Sequence, residues 1–536
     1  MHKIFKSAFK KHLGIAFTAI FLGIAFSVSM SYSSLMLSKL FDVIENQIPI
    51  DERLSELLKT TLLICSAFLG TIVLNVLSNR AIARYRFGMS NDLRREITQK
   101  IISSPYENFD NKNSGNYISW YTNDVDNIMN SSMVGFINVI QNSALVIAAF
   151  VALTYLNAYL GFVALGFLFL SIIVPQLFGR QMENAQKRVT MADEHYTEEV
   201  RESIGGFNVL YIANKLNIFK QSLENASVEK EKERLHLNRV SAYVEGVSIL
   251  VSLVAQIGLT IVTVFLSVAG RAPLGAAFAT ASLSGVLFNS VGTLINDIVK
   301  FKSAKKIYEK FEISEERHEK RIELKTLNRF ALEDVSMAFD EKTLFTQFNY
   351  EFQFPNKYAI TGESGSGKTT LLRLLLGLAR PTEGKVIVNS ENLEAVEKSS
   401  LYDQVSYIDQ NVFLFKGTLR DNITLWKDFD ENKLLEIIDK VKLTDFINSL
   451  SGGLDTYINE GGKNISGGER QRVALARALV NQSRFVIVDE TTSQLDEENA
   501  KDIESMLLTQ QDFGLIMISH HFSEDSLTKF DGVVRL

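Results

Sequence analysis

Long runs without Asp, Glu, Lys or Arg occupy much of the first 300 residues of this chain. Leu13–Ser38 and Thr60–Asn79 reach the roughly 20 apolar residues that a helix needs to cross a bilayer core of about 30 Å. Asn127–Gly179 is long enough for two crossings, and Gly246–Gly270 with Ala272–Asn296 form a last pair. By this length criterion we predict a membrane-embedded bundle of six helices, at 13–38, 57–79, 129–153, 157–179, 246–270 and 273–296.

The distribution of these runs matters more than the bulk composition. Hydrophobic residues make up 46% of the chain, charged residues 22%, and the mean hydropathy is only +0.06, values that would suit a soluble protein. We therefore predict a transmembrane domain at 1–300, a charged linker at 301–328 and a separate α/β domain at 329–536. The net charge of -6 argues against nucleic acid as a partner, since nucleic-acid-binding proteins usually carry a basic face.

Basic residues predict the orientation in the membrane. The N-terminus and the two long connections between spans are rich in Lys and Arg, whereas the connection after the first span is mainly acidic. Positive-inside reasoning places the N-terminus and both long connections in the cytoplasm, and an even number of spans places the C-terminus there as well. We expect a multi-pass protein of the cytoplasmic membrane.

The two long connections, each about 50 residues, are too long for ordinary loops of a helical bundle. We predict that the spans continue out of the membrane as helices, with one break from Ser104-Pro105 through Asn116 and another at Gly205-Gly206. A cytoplasmic hairpin without a partner is the alternative. The recurrence of length and break position favours helix pairs that reach a domain below the bilayer.

A phosphate-loop pattern defines a nucleotide site in the second half of the chain. It consists of Gly362-Glu363-Ser364-Gly365-Ser366-Gly367-Lys368-Thr369, and Thr370 follows it. An apolar strand precedes the pattern and a leucine-rich helical run follows, which is the context that the pattern requires. Backbone N–H groups and Lys368 would hold the phosphates, and the Thr369 hydroxyl would ligate Mg²⁺. We therefore expect ATP and Mg²⁺ as ligands of an α/β P-loop NTPase domain.

The second motif of the nucleotide site is an acidic pair, Asp489-Glu490, which directly follows an apolar strand ending at Val488. A carboxylate at a buried strand end beside a phosphate loop can hold Mg²⁺, the role that we assign to Asp489. The next residue, Glu490, can act on the attacking water as general base or orienting group. Alone, the pair could be a plain acidic strand end; beside a phosphate loop, the catalytic interpretation is favoured.

A glycine-rich segment between these two elements opens a helical run. Ser466-Gly467-Gly468-Glu469 resembles the Leu-Ser-Gly-Gly-Gln signature of the ATP-binding cassette (ABC) family, with Glu469 in place of glutamine. The resemblance covers the whole chain, as that of an exporter half-transporter with six spans and one nucleotide-binding domain. In this family the signature faces the γ-phosphate bound to the other subunit, so the resemblance implies a dimer.

The resemblance implies further site residues. Gln410 resembles the Q-loop glutamine that senses Mg²⁺ and the attacking water, and it joins Thr369 and Asp489 as a candidate metal ligand. Asp496 resembles the D-loop aspartate, and Phe339 the aromatic residue that stacks on adenine. His520 resembles the switch histidine near the γ-phosphate, although the adjacent His521 leaves the choice between them open. The candidate catalytic residues are Lys368, Gln410, Glu490 and His520.

The resemblance also implies the activity. It is that of an ATPase subunit that exports a hydrophobic or amphipathic peptide, lipid or drug while embedded in the lipid bilayer. A homodimer is the simplest assembly because every catalytic position is intact in one chain. Import through the same fold, a heterodimer with a sister chain, and a tethered ATPase of the soluble ABC type are the alternatives.

Overall fold

The structure is a computed structural model of the chain, and it describes residues 6–45, 49–110, 114–309, 311, 321–339, 342–462, 464–490, 497–519, 522 and 524–536. The chain divides into two compact units. We call 1–104 with 112–314 the membrane-helix unit, and 105–111 with 315–536 the sheet unit.

Among its described residues, the membrane-helix unit is built from helices joined by short turns. In chain order the helices of this half of the chain are α1 (Lys6–Lys11), α2 (Leu13–Glu45), α3 (Ile50–Ser103), α4 (Tyr106–Asp110), α5 (Ser114–Ser119), α6 (Val125–Ile128), α7 (Val134–Leu156), α8 (Ala158–Gln176), α9 (Gly179–Gly205), α10 (Phe207–Ile212), α11 (Leu216–Val268) and α12 (Ala276–Glu309). Of these, α4 belongs to the sheet unit. Two π-helical turns, Trp120–Asp124 and Met129–Met133, lie between α5 and α7.

Six helical stretches in the described part of the chain are long and apolar enough to cross a membrane. Their bounds are Leu13–Phe41, Glu52–Ser103, Gly115–Leu156, Ala158–Gly205, Leu216–Val268 and Ala276–Lys302. Four of them far exceed the predicted spans; α3, with 54 residues, is about 80 Å long at 1.5 Å per residue. The predicted bundle of six helices with long extensions is therefore confirmed.

Both predicted helix breaks are confirmed. Helix α3 ends at Ser103, and Ser104 takes extended dihedral angles because the ring of the following Pro105 disfavours a helical conformation there. Helix α9 ends at Gly205, and α10 begins one residue after Gly206. Helix α12 runs to Glu309, so its last turns occupy the start of the predicted linker.

The sheet unit combines strands and shorter helices. Its strands are β1 (Arg329–Phe339), β2 (Lys342–Gln353), β3 (Lys357–Thr361), β4 (Glu383–Val388), β5 (Glu391–Asn392), β6 (Val405–Ile408), β7 (Gly417–Thr418), β8 (Tyr457–Ile458), β9 (Phe485–Asp489), β10 (Gly514–Ile518) and β11 (Gly532–Arg535). Its α-helices that follow β3 in the chain are α13 (Lys368–Leu375), α14 (Lys398–Tyr402), α15 (Leu419–Thr424), α16 (Glu431–Lys440), α17 (Thr444–Ser449), α18 (Gly467–Val480), α19 (Glu497–Thr509) and α20 (Glu524–Leu527).

A parallel sheet forms the centre of the sheet unit. Its strand order is β11-β3-β10-β9-β6, and a smaller antiparallel sheet has the order β2-β1-β4-β5. Successive side chains of a strand point to opposite faces. Accordingly, Val486 and Val488 face a core that includes α18, whereas Phe485 and Ile487 face a second core that includes α13. Because both faces are covered, the strands of this sheet are predominantly apolar and do not alternate between apolar and polar residues.

Candidate active site

The candidate residues converge where the central parallel strands end. In parallel sheets, ligand sites lie at the carboxyl ends of the strands. The phosphate loop follows β3, Glu490 follows β9, and Gln410 follows β6 by two residues. Since β10 alone separates β3 from β9, and β6 pairs with β9, these three loops emerge along one edge of the sheet.

Glycines give the phosphate loop its shape. Gly362, Gly365 and Gly367 all have positive φ, at 154°, 80° and 99°. A Cβ atom on Gly362 would lie 2.6 Å from the Leu536 carbonyl oxygen and 2.7 Å from Ser366 Oγ, so a side chain does not fit there. The loop therefore requires glycine for conformation and for space.

Lys368, the first residue of α13, holds the loop together. Its side chain is 6% exposed, and its ammonium group donates hydrogen bonds to the carbonyl oxygens of Gly362 (3.0 Å) and Glu363 (2.9 Å). A flexible lysine with three donors can exchange such carbonyl partners for phosphate oxygens. Glu363, Ser364, Gly365 and Thr369 are exposed along this loop, and Ser366 and Thr370 are half-buried.

Asp489 lies at the end of β9 with an exposed fraction of only 2%. Its Oδ2 atom accepts a hydrogen bond from the Tyr407 hydroxyl (3.4 Å), whereas its buried Oδ1 atom receives none of normal geometry. Burial raises the pKa of the Asp489 carboxyl, and the Thr369 hydroxyl beside it opposes this rise. A buried carboxylate oxygen without a donor, next to a hydroxyl, is the donor set that Mg²⁺ prefers. The residues present therefore fit the metal.

Glu490 and Gln410 are in direct contact. The Gln410 amide Nε2 donates to the Glu490 carboxylate Oε2 at 2.7 Å. Glu490 has a φ of 51°, a left-handed conformation that is uncommon outside glycine and clusters at functional sites. Its backbone N–H donates to the Ile518 carbonyl at the end of β10 (3.1 Å), which fixes this conformation. The arrangement presents a carboxylate and an amide side by side, beside the Asp489 carboxyl.

Ser466 caps helix α18. Its side chain accepts a hydrogen bond from the backbone N–H of Glu469 (3.3 Å), and the Glu469 carboxylate accepts one from the backbone N–H of Ser466 (2.7 Å). This reciprocal pair is a capping box, and a carboxylate in the first turn also interacts favourably with the helix dipole. The acidic residue at this position is thus used to order the turn that contains Gly467 and Gly468.

Four of the predicted positions cannot be placed in full. His520, its neighbour His521, and Asp496 lie outside the described residues. Phe339 is the last residue of β1, but its side chain belongs to the part of the structure that is not described. Their assigned roles therefore stay predictions.

Tyr407 is a contact of the site that the sequence did not indicate. In the sequence, Tyr407 is one more aromatic residue of an apolar strand. Only the register of β6 against β9, which pairs Tyr407 with Ile487, shows that its hydroxyl reaches Asp489. The sequence therefore carried no signal for this contact.

Six membrane-crossing helices together with a phosphate loop and paired carboxylates define an integral-membrane ATPase of the P-loop class. Family models agree: one described as the ABC transporter transmembrane region matches residues 14–291, and one described as ABC transporter matches residues 345–493. The chain therefore belongs to the ABC transporter family, as a subunit of an ATP-hydrolysing membrane transporter.

Two curated proteins illustrate the relationship. The lactococcin-G-processing and transport ATP-binding protein LagD of Lactococcus lactis is 28% identical over 446 residues, which cover 81% of this chain and 63% of LagD. The chain thus spans less than two thirds of that relative. The ATP-dependent lipid A-core flippase of Pectobacterium atrosepticum is 25% identical over 536 residues, covering 96% of this chain and 89% of the flippase.

A solved structure shows the same fold. A bacterial Atm1-family ABC exporter with ATP bound superposes with a TM-score of 0.85, covering 99% of this chain and 94% of that one at 17% sequence identity. The similarity extends over both halves of the chain, in agreement with the fold that the family resemblance implies.

Proposed function

We propose that two copies of this chain form an ATP-driven exporter in the cytoplasmic membrane, with both termini in the cytoplasm. The contact between Gln410 and Glu490 beside Asp489 is the observation that supports this proposal most strongly. It brings a base, an amide and a metal-holding carboxylate to one sheet edge, so this chain carries a full set of hydrolytic groups.

Each of these side chains has a role in hydrolysis. Lys368 binds the β- and γ-phosphates and offsets their charge as the bond to the leaving ADP breaks. Glu490 accepts the proton of the water whose oxygen attacks the γ-phosphorus, and Gln410 orients that carboxylate. Asp489, Thr369 and Gln410 would hold Mg²⁺, which when bound neutralises charge on the phosphate oxygens.

The signature turn accounts for dimerisation. Ser466, Gly467 and Gly468 form the N-terminal turn of α18, where backbone N–H groups and the helix dipole favour an anion. Each chain carries one phosphate loop and one such turn. We infer that the turn of one copy closes on the triphosphate bound by the other, and that Phe339, Asp496 and His520 complete the pocket. Two identical copies suffice because every one of these residue types is present.

The cargo that we propose is a hydrophobic or amphipathic lipid or peptide. By their names, the flippase acts on lipid A-core and LagD processes and transports lactococcin G. Among the described residues of the spans, the buried polar side chains are mostly serine and threonine hydroxyls, such as Ser27, Ser33, Thr71, Thr263 and Thr280. Such spans offer little to a strongly charged solute, which would need ionised partners in the membrane.

Replacement of the base tests the hydrolytic part of this proposal. We expect Glu490→Gln to lower ATP turnover roughly 10²- to 10⁴-fold, because a positioned general base contributes about that much. The variant should still bind ATP and should accumulate as a nucleotide-closed dimer. Glu436→Gln, an exposed position on α16, serves as a control and should leave turnover unchanged. Near-normal turnover in Glu490→Gln would refute the assignment.

Inverted membrane vesicles test direction and cargo. A fluorescent phospholipid and an amphipathic peptide are offered outside the vesicles with ATP, and vesicles that carry Glu490→Gln give the background. Export predicts ATP-dependent accumulation inside, whereas ATP-dependent release from preloaded vesicles would show import. Stimulation of the ATPase by one of the two probes identifies the cargo class.

A further inference from the structure

The carboxylate of Asp489 depends on a neighbour that the nucleotide motifs do not include. Tyr407 is half-buried on β6, and its ring packs in the same core as Ile487 and the leucines of α13. Its hydroxyl lies 3.4 Å from Asp489 Oδ2, and no other hydrogen bond of this hydroxyl is found among the described residues.

Strand register explains how Tyr407 reaches this atom. It stands opposite Ile487 in the parallel pairing of β6 with β9. Asp489 is two residues further along β9, on the same face as Ile487, and is therefore displaced by about 6.6 Å along the strand. A tyrosine side chain spans such a distance, whereas leucine or phenylalanine at position 407 would bring no polar atom to the carboxylate.

The two oxygens of Asp489 are thereby separated in role. Oδ2 accepts the hydrogen bond from Tyr407, whereas the buried Oδ1 has no hydrogen-bond partner of normal geometry among the described residues. The Thr369 hydroxyl of the phosphate loop also interacts with this carboxyl group. A hydrogen bond to one oxygen restricts rotation of the carboxyl group and so favours one rotamer of Asp489.

We propose that Tyr407 is a positioning residue for the metal, holding Asp489 so that its free oxygen is directed to Mg²⁺. This inference rests on the proposed function, in which Asp489 binds the metal of the nucleotide site. Outer hydrogen-bond partners of metal ligands orient them in this way, and their loss typically weakens metal affinity by about 10- to 100-fold. Because the Tyr407 contact is long, we expect the lower end of that range.

Direct measurement of metal binding tests the inference. Mn²⁺ replaces Mg²⁺, and its binding to the full-length dimer loaded with a non-hydrolysable ATP analogue is titrated by electron paramagnetic resonance. Tyr407→Phe keeps the ring and removes only the hydroxyl. We expect Mn²⁺ affinity to fall roughly tenfold, while binding of the analogue without metal changes less than about twofold. ATPase activity should recover at high Mg²⁺, with KM for ATP unchanged.

Two comparisons separate positioning from a general loss of structure. Tyr358→Phe removes a buried hydroxyl from β3 of the same sheet, one that accepts a hydrogen bond from the Gln353 backbone N–H (2.9 Å), and should leave Mn²⁺ affinity unchanged. In an Asp489→Asn background, Tyr407→Phe should cause no further loss, since it acts through that carboxylate.

Several results would overturn the inference. The first is an Mn²⁺ affinity of Tyr407→Phe within twofold of wild type. The second is a loss of Mn²⁺ affinity in Tyr358→Phe as large as that in Tyr407→Phe. The third is a loss of the same size when Tyr407→Phe is added to Asp489→Asn. Failure of the wild-type dimer itself to bind Mn²⁺ with nucleotide would instead contradict the proposed function. The two failures are therefore distinguishable.

Discussion

At the scale of single residues, Lys357 is a buried cation far from the nucleotide chemistry. It begins β3, at the opposite end of the strand from the phosphate loop, and is 6% exposed. Its ammonium group donates to the Phe513 carbonyl oxygen (2.6 Å) and lies 4.2 Å from the centre of the Phe513 ring. Burial lowers the pKa of Lys357 to about 8, although the Asp531 carboxylate opposes this shift.

This depressed pKa predicts a pH dependence of stability. Between pH 8 and the ordinary lysine value of 10.5, the unfolded chain binds more protons than the folded one, so the free energy of unfolding rises with pH. Below pH 8 the folded protein bears the cost of burying the charged form of Lys357. We expect the midpoint of thermal unfolding to rise between pH 7.5 and 9.5 in wild type, and to rise less in Lys357→Met.

The comparison is made on the full-length dimer by intrinsic fluorescence, so that other titrating groups cancel between variants. Lys325→Met, at an exposed position of the sheet unit, is the matched control and should follow wild type. If Lys357→Met and wild type had parallel pH profiles, Lys357 would carry no such linkage and would be ionised in both states alike.

At the scale of elements, a half-buried amide joins three of the spanning helices. The Gln141 side chain on α7 donates to the Ala19 carbonyl of α2 (3.0 Å) and to the Ser78 hydroxyl of α3 (3.1 Å). Gly23 makes room for it: a Cβ atom there would lie 2.2 Å from Gln141 Nε2 and nearly as close to the two carbons before it. Small residues at such contacts and interhelical hydrogen bonds stabilise membrane bundles.

We expect Gly23→Ala to displace this side chain and to destabilise the protein by about 0.6–2 kcal/mol, since interhelical hydrogen bonds in membranes contribute about that much. The lower midpoint of thermal unfolding of the detergent-purified dimer would show this effect. Gly70→Ala is the matched control, because a Cβ atom on Gly70 meets nothing within 4 Å. Adding Gln141→Ala to Gly23→Ala removes the side chain that the new Cβ atom would contact. The double variant should therefore recover the part of the lost thermal stability that is due to this steric clash. Equal effects of the two glycine substitutions would contradict the packing argument.

The same elements show what a sequence can and cannot predict. Charge-free length revealed six helices because the bilayer imposes a minimum length, and the phosphate loop was evident because few residues satisfy its chemistry. Neither the pairing of Gln141 with Gly23 nor that of Tyr407 with Asp489 was accessible, since each depends on how two distant segments are aligned. The π-helical turns at 120–124 and 129–133 also escaped prediction, because such turns leave no signature in hydrophobic periodicity.

At the scale of the whole molecule, the proposed dimer makes each ATP site a joint product of two copies. Lys368→Ala removes the phosphate-loop cation, and Gly467→Asp places a negative charge in the signature turn, where it repels the triphosphate. Either variant alone should be inactive as a homodimer. A heterodimer of the two, purified by different tags on its subunits, contains one site with both lesions and one intact site. We expect this heterodimer to trap nucleotide with vanadate at about half the wild-type level, since one of two symmetric sites is intact.

The opposite arrangement makes the test decisive. When both substitutions are placed in one copy and paired with a wild-type copy, each shared site receives one lesion, and no trapping is expected. Sites contained within single chains would reverse the outcome, because the wild-type copy would then work alone while the first heterodimer would fail. The pattern of trapping in these two heterodimers therefore reports directly whether ATP is held between copies, which is the condition for nucleotide binding to drive movement of the six-helix bundles.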